Sequence, residues 1–175
     1  MANYLLVDGY NIIHADEALT RLAEDSLETA RIKLCDLLCE FDALSVYRII
    51  VVFDAHLVAG GVGSDTDYGN IKVVFTKEAE TADHYIERAA YDMARGKHDK
   101  ITVATSDVLE QLIILGSGAA RIGADALLAE IETARKQMRR HILNRPVKNN
   151  PFEGLLDKKT AAILEDMRLG KRGKP

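Results

Sequence analysis

The sequence has no tryptophan, only two cysteines and three prolines, and an aromatic content of 6%. Its longest apolar stretches, such as residues 49–53 and 112–115, are far shorter than the roughly 20 residues that a membrane-spanning helix needs. The start of the chain lacks the basic segment of a signal peptide and reaches Asp8 after a very short apolar run. We therefore expect no membrane span and a cytoplasmic protein.

The two cysteines, Cys35 and Cys39, lie four residues apart in a segment with helical periodicity, so they would share one face of a helix. No second cysteine or histidine pair at the spacing of zinc ligands accompanies them in the sequence. We therefore favour buried, reduced thiols over a zinc site.

Charge is unevenly distributed along the chain. Residues 1–134 hold 11 basic and 23 acidic residues, a net charge of −12, whereas residues 135–175 hold 12 basic and 4 acidic residues, a net charge of +8. A basic terminal segment on an acidic body suits a polyanion such as nucleic acid, and a solvated helix face is the alternative. Because a linker with two prolines follows residue 143, we predict one domain over residues 1–143 and a basic linker and tail over residues 144–175.

Short β-rich runs alternate with longer segments of helical periodicity, which predicts βαβ units around a parallel sheet. A glycine-rich stretch, residues 59–69, is predicted to be a mobile surface loop. The predicted strands are residues 4–8, 48–54, 71–76, 101–105 and 120–122, and the predicted helices are residues 26–44, 81–95, 108–115 and 124–143.

Acidic residues follow the predicted strands. Asp8 and Asp54 end the first and second strands, and Asp107 lies just beyond the fourth. Since the carboxyl ends of parallel strands share one edge of a sheet, these side chains should converge there. Glu80 and Asp83 follow the third strand and, three residues apart, can share one face of a helix.

Carboxylates gathered in this way repel one another, which predicts a hard cation between them, Mg²⁺ or alternatively Mn²⁺. Such a site suits phosphodiester hydrolysis, because the metal can activate water and neutralise charge on the leaving oxygen. For Asp83 or Asp107 taken singly, stabilisation of a helix N-terminus is the alternative. Asn11, one turn past Asp8, could orient that aspartate, contact a phosphate or cap its turn, and Gly9 allows a tight bend between them. His14 and His56 lack the spacing of zinc ligands and are expected to be non-catalytic.

Four segments, residues 5–13, 51–56, 75–83 and 103–107, together resemble the YacP-like NYN family in order and spacing over residues 3–143. The resemblance implies a PIN-like, three-layer α/β fold with a central parallel sheet of order 3-2-1-4-5 flanked by helices. It also implies a metal-dependent nuclease site. Its core acids would be Asp8, Asp83 and Asp107 with Asn11, while Asp54, Glu80 and, more weakly, Glu78 match acids of the wider flap-nuclease group.

The function implied by this resemblance is a Mg²⁺-dependent endoribonuclease acting on RNA, with mRNA and the ribosome as expected partners. Its phosphate contacts are predicted in the basic segment, at Arg135, Lys136, Arg139 and Arg140. Two alternatives stay open at this point. One is an inactive RNA- or ribosome-binding module, and the other is a metal-dependent phosphatase of small molecules.

Overall fold

The computed structural model describes residues 2–54, 62–77, 79–95, 100–106 and 119–143. No helix in these ranges is long and apolar enough to cross a membrane. The chain divides into two compact units, Met1–Met138 and Arg139–Pro175. The described elements are, in chain order, β1 (Asn3–Asp8), α1 (Gly9–Ala15), α2 (Glu17–Asp25), α3 (Leu27–Leu44), β2 (Tyr47–Phe53), β3 (Val62–Tyr68), β4 (Ile71–Lys77), α4 (Ala82–Ala94), β5 (Lys100–Ala104), β6 (Ala120–Ile122) and α5 (Ala124–Leu143).

Four helices begin at a side chain that accepts the N–H group of the residue three positions later, which satisfies a donor that the helix itself leaves unpaired. These residues are Asp8, Asp16, Ser26 and Thr81, before α1, α2, α3 and α4. The predicted helices at residues 26–44, 81–95 and 124–143 agree with α3, α4 and α5 to within one residue. Helices α1 and α2 were missed, because with seven and nine residues each spans too few turns to show the 3.6-residue repeat clearly.

In the described part of the chain, the sheet has six strands in the order β3-β4-β2-β1-β5-β6. Five of them are parallel, and β4-β2-β1-β5-β6 are the third, second, first, fourth and fifth predicted strands. The expected α/β fold and the order of its parallel strands are therefore confirmed. Strand β3 is an addition at one edge and runs antiparallel to β4.

The prediction of a loop over residues 59–69 was wrong where β3 forms. Tyr68 pairs with Ile71, so Gly69 and Asn70 make a two-residue hairpin turn, and Gly69 adopts a φ of +60° that favours glycine. The centre of β3 is polar, with the sequence Ser-Asp-Thr-Asp over residues 64–67, and lacks the apolar alternation of a half-buried strand. The usable signal was the Gly-Asn pair just before the apolar run of β4.

The core forms two clusters, one on each face of the sheet. Leu5 and Val7 of β1 belong to one cluster and Leu6 belongs to the other, as the two-residue period of a strand requires. Helices α1, α2, α3 and α5 supply the first cluster and α4 supplies the second, which gives three layers. Cys35 is buried in the first cluster, as predicted, and burial raises the pKa of its thiol to about 12. Cys39 is half-buried, and both thiols are free.

Several sequence predictions fall outside the described residues. They are Asp107, Glu78, His56, the helix at residues 108–115, and the linker and tail over residues 144–175.

Candidate active site at the carboxyl edge of the sheet

Asp8 lies where β1 passes into α1. Its Oδ1 accepts the Asn11 N–H at 3.0 Å, which caps α1, and the residue is only 9% exposed. The pKa of the Asp8 carboxyl is raised to about 6, chiefly by burial and in part by the nearby Asp83 and Asp54 carboxylates, while the Asn11 and Tyr10 N–H groups oppose the rise. At neutral pH the protein therefore holds a carboxylate whose charge the fold itself destabilises.

Gly9 permits the turn after Asp8 for a steric reason. A Cβ atom at this position would lie 2.2 Å from the Phe53 ring, far inside van der Waals contact. The sequence suggested a tight bend, but no positive φ is present at Gly9, and the requirement is instead close approach to β2. This packing brings the start of α1 against the end of β2, where Asp54 follows.

Asp54 and Asp83 reach the same edge from two other elements. Asp8 pairs in register with Val52, two residues before Asp54, so the ends of β1 and β2 lie side by side. Asp54 Oδ1 accepts the Ala82 N–H at 2.7 Å, which fixes the first turn of α4 over this edge. Asp83 is the next residue in that turn, and its carboxylate acts on Asp8 electrostatically. The structure thus brings together three of the five predicted metal ligands.

Asn11 connects the end of β1 to the end of β5. Its Oδ1 accepts the Ser106 N–H at 3.0 Å, while its own N–H donates to Asp8. Ser106 Oγ in turn accepts the Ala124 N–H at 3.3 Å at the start of α5. The side chain of Asn11 therefore fixes the backbone immediately before Asp107. The sequence had suggested that this amide orients Asp8, contacts a phosphate or caps its own turn.

Glu80 has a different environment. Its side chain is 15% exposed and forms an ion pair with Arg88, although its Oε1, shielded from solvent, lacks a hydrogen bond of acceptable geometry. Tyr85 lies beside this pair, with the Arg88 guanidinium 5.4 Å from its ring centroid. Sequence reasoning missed Arg88 and Tyr85. Their three-residue spacing was visible, but their relation to Glu80 depends on the turn that precedes α4.

The predicted basic residues lie on α5, and two of them already have acidic partners. Arg135 Nε is 2.9 Å from Glu40 Oε2, and Lys136 Nζ is 3.5 Å from Glu132 Oε1. Helix α5 starts at the carboxyl edge beside Ser106, and its residues Ala129, Glu130, Thr133, Ala134 and Gln137 line a groove with Ser45, Val46 and Tyr47 at the start of β2. Arg135 and Lys136 therefore lie toward the opposite, amino edge of the sheet. Arg139 and Arg140 are exposed in the last turns of α5.

As a donor set, the carboxylates of Asp8, Asp54 and Asp83 suit a hard divalent cation, since such ions prefer oxygen ligands. Within the described ranges, however, no three acidic, histidine or cysteine side chains are gathered tightly enough to hold a metal ion. Asp107, the remaining predicted ligand, lies outside those ranges. A complete metal site at this edge would therefore require Asp107 or a rearrangement of the acids.

The sequence was compared with models of known protein families. The sequence model of the YacP-like NYN domain matches residues 5–169. The chain belongs to the YacP-like NYN domain family. This family is one of nuclease-like, PIN-like hydrolases, so membership supports a nuclease-like function and suggests an RNA substrate.

Individual relatives of this YacP-like chain agree with that assignment. The chain is 44% identical over 138 residues to YacP of Bacillus subtilis (strain 168), covering 79% of this chain and 80% of that protein. It also resembles a crystal structure of Rae1 (YacP) from Bacillus subtilis, with a TM-score of 0.71, 39% identity, and coverage of 95% of each chain. A tryptophan-to-leucine mutant of Rae1 gives the same TM-score of 0.71 at 36% identity, covering 94% of this chain and 99% of that one.

Proposed function

We propose that this protein is a metal-dependent endoribonuclease that hydrolyses RNA phosphodiester bonds at the carboxyl edge of its sheet. The observation that carries the proposal is Asp8, a buried carboxyl whose pKa is raised to about 6 and raised in part by the neighbouring Asp83 and Asp54 carboxylates. Such mutual repulsion costs folding stability, so we infer that it is retained for chemistry rather than for structure.

The ion that relieves this repulsion is proposed to be Mg²⁺, with Mn²⁺ as a substitute. Asp8, Asp54 and Asp83 would hold it together with Asp107. When bound, a divalent cation supplies a water of lowered pKa and stabilises charge on the phosphate oxygens. Glu80 would have to leave Arg88 to join these ligands, so we do not assign it to the site.

The other residues at this edge keep the acids in position. The Asn11 N–H holds the Asp8 carboxyl at the end of β1, while Asp54 anchors the first turn of α4 through the Ala82 N–H. The Asn11 side chain fixes the Ser106 backbone, and hence the approach to Asp107. These hydrogen bonds fix the backbone around the acids before a cation or substrate binds.

The substrate is proposed to be RNA, and mRNA within translating ribosomes is the first natural form to test. Family membership suggests RNA, and the resemblance in sequence implied mRNA and the ribosome. An enzyme that depends on the ribosome would not cleave free RNA. The assay therefore needs both free RNA and translating ribosomes.

The deciding experiment compares the wild type with Asp83→Asn on both substrates, with and without Mg²⁺ or Mn²⁺. Asp92→Asn is a matched control, since Asp92 is an exposed acid on the same helix near its other end. We expect cleavage to require metal and Asp83→Asn to slow it by at least about 1,000-fold, because metal-held charge stabilises the transition state by several kcal/mol. Asp92→Asn should cleave as the wild type does.

The failures of this experiment are distinguishable. If Asp83→Asn cleaved RNA as fast as the wild type, the active site would not be at the carboxylate edge. Metal binding without RNA cleavage, together with hydrolysis of a phosphomonoester, would indicate a small-molecule phosphatase. RNA or ribosome binding with no hydrolysis would indicate a binding module.

A further inference from the structure

A cleft lies between β3, β4 and the start of α4. Its volume is about 290 Å³, and its charged lining residues are two acids, Asp65 and Glu80, and two cations, Lys77 and Arg88, with Ser64, Thr76 and Tyr85 beside them. This volume is close to the lower end, roughly 300 Å³, of pockets that bind small molecules. The cleft can therefore accept one nucleotide but not a duplex.

The cleft adjoins the carboxylate edge. Phe75 in β4 pairs in register with Phe53 in β2, and Asp54 follows Phe53 directly. The end of β4, with Lys77, therefore lies beside Asp54 on the same edge of the sheet. The hydrogen bond from Ala82 to Asp54 places the first turn of α4 there as well, and Tyr85 and Arg88 follow in the next two turns.

Arg88 offers a surface for a nucleobase. Its guanidinium lies over the Tyr85 ring, and Glu80 pairs with it from the turn before α4. The Arg88 side chain is nevertheless 59% exposed, so much of the group faces solvent at the cleft. Bases of single-stranded RNA stack on planar guanidinium groups as they do on aromatic rings.

Lys77 adds an exposed cation at the end of β4, within the same cleft. The predicted phosphate contacts on α5 do not supply charge at this position. Arg135 lies 11 residues along α5 from Ala124, which is roughly 16 Å at 1.5 Å per residue, and toward the opposite edge. The described cations near the acids therefore include Lys77 on β4 and Arg88 on α4, together with Arg31 on α3, which already contacts the Tyr10 hydroxyl and the Phe75 ring.

We propose that this cleft binds one nucleotide of a single-stranded RNA next to the bond that is cleaved. The base stacks on Arg88, which Tyr85 supports from behind, and Lys77 contacts a backbone phosphate. This inference rests on the proposed function, because it assigns a substrate subsite to the same active edge. In this proposal the RNA crosses β4 and α4 at the active site, and Arg135 and Lys136, toward the amino edge of the sheet, contribute less to its binding.

The test uses a natural duplicate within α4. Arg95 lies over the Tyr91 ring at 5.4 Å, the same distance as in the Arg88–Tyr85 pair, but at the far end of the helix. Binding of a fluorescent single-stranded RNA of about ten nucleotides, long enough to cover typical single-strand sites, is measured by anisotropy in full-length Asp83→Asn protein, which prevents cleavage. Arg88→Gln and Arg88→Lys are compared with Arg95→Gln and Arg95→Lys in that background.

We expect Arg88→Gln to weaken binding at least about fivefold, since stacking of one base contributes on the order of 1–3 kcal/mol. Arg88→Lys should also weaken binding, because it keeps the charge but loses the planar stacking surface. The RNA affinity of Lys77→Gln should depend less steeply on salt concentration, since a phosphate contact is lost. Both Arg95 variants should bind as their parent does.

Equal affinity of the Arg88 and Arg95 variants for RNA would overturn the cleft assignment. Full restoration of binding by Arg88→Lys would overturn base stacking as the role of Arg88. In both cases metal-dependent cleavage by the wild type, lost in Asp83→Asn, would leave the nuclease proposal standing. Absence of RNA binding together with absence of cleavage would overturn both proposals.

Discussion

Two groups of aspartates in this protein have opposite environments. Around the β3–β4 hairpin three acids have a stabilising partner: Asp36 accepts the Tyr68 hydroxyl at 2.8 Å, Asp42 accepts the Asn70 amide at 2.8 Å, and Asp65 lies 2.7 Å from Lys72 Nζ. At the carboxyl edge, Asp8 lies beside two further carboxylates that oppose its ionisation. The first group joins elements of the fold, whereas the second opposes the ionisation of Asp8, and we propose that a cation relieves this repulsion.

The pKa values express this contrast. The hydrogen bond and charge of Lys72 lower the pKa of Asp65, whereas burial and neighbouring acids raise the pKa of Asp8 to about 6. A short sequence context does not separate the two kinds of acid, since Asp42 near the end of α3 and Asp8 at the end of β1 occupy similar positions in their elements. The partner supplied by the fold separates them. An acid held by donor groups alone is structural, whereas an acid that also lies buried beside other carboxylates, as Asp8 does, is a candidate for function.

The largest expected effect is the loss of RNA cleavage in the Asp8→Asn variant. Asparagine caps helices as well as aspartate does, so the start of α1 should persist. The variant removes one of the proposed metal ligands, and we expect RNA cleavage to fall by at least about 1,000-fold, or roughly 4 kcal/mol in the activation barrier. Initial rates at saturating Mg²⁺, on free RNA and on translating ribosomes, provide the measurement.

A loss of activity that could be recovered fully by raising the RNA concentration would contradict this assignment, because it would show weakened substrate binding alone. The circular dichroism spectrum should remain that of the wild type. If the spectrum changed, Asp8 would belong with the structural acids of the hairpin.

The second expected effect concerns stability in the absence of divalent cations. The ordinary pKa of Asp8 is 3.8, and in the folded protein it is about 6. Between these values the folded state binds more protons than the unfolded state, so the free energy of unfolding falls as pH rises, and the penalty is complete above about pH 6. Asp8→Asn removes that penalty, and we expect it to stabilise the protein at pH 7 by up to about 3 kcal/mol.

Urea unfolding at pH 4 and pH 7 in EDTA measures this effect. The gain in stability from Asp8→Asn should be large at pH 7 and nearly absent at pH 4. Other groups titrate in both proteins, so the difference between them isolates Asp8. If Asp8→Asn were instead destabilised equally at both pH values, the ionised Asp8 carboxylate would carry no stability penalty in the metal-free protein.

Much of the fold followed from the sequence. The apolar runs of β1, β2 and β4 predicted their strands, and Ser26 before α3 marked a helix start that the structure confirms. The order of the parallel strands came from the family resemblance and not from periodicity. Strand β3 escaped prediction because an edge strand whose centre is Ser-Asp-Thr-Asp carries no apolar alternation, and its pairing with β4 is a property of the hairpin turn.

The candidate site was predictable to the extent that it depends on strand ends. Asp8 and Asp54 converge because parallel strands share an edge, and Asp83 follows because α4 begins there. The partner of Glu80 was not predictable, since Arg88 is eight residues away and the two meet only through the turn before α4. The link from Asn11 to Ser106 spans 95 residues and depends on β1 and β5 being neighbours.

The smallest expected effect comes from a hairpin acid. Asp42 accepts the Ile49 N–H at 3.2 Å and the Asn70 amide at 2.8 Å, so it joins the end of α3 to β2 and to the hairpin turn. Asp42→Ala removes both hydrogen bonds, and we expect the free energy of unfolding to fall by about 1–2 kcal/mol at pH 7. Cleavage and Mg²⁺ affinity should be unchanged, because none of these groups reaches the carboxyl edge.

If Asp42→Ala instead impaired cleavage as severely as Asp8→Asn while remaining folded, the division between structural and functional acids would be wrong. The hairpin would then have to influence the active edge, and the cleft beside β3 is where that influence would be sought first.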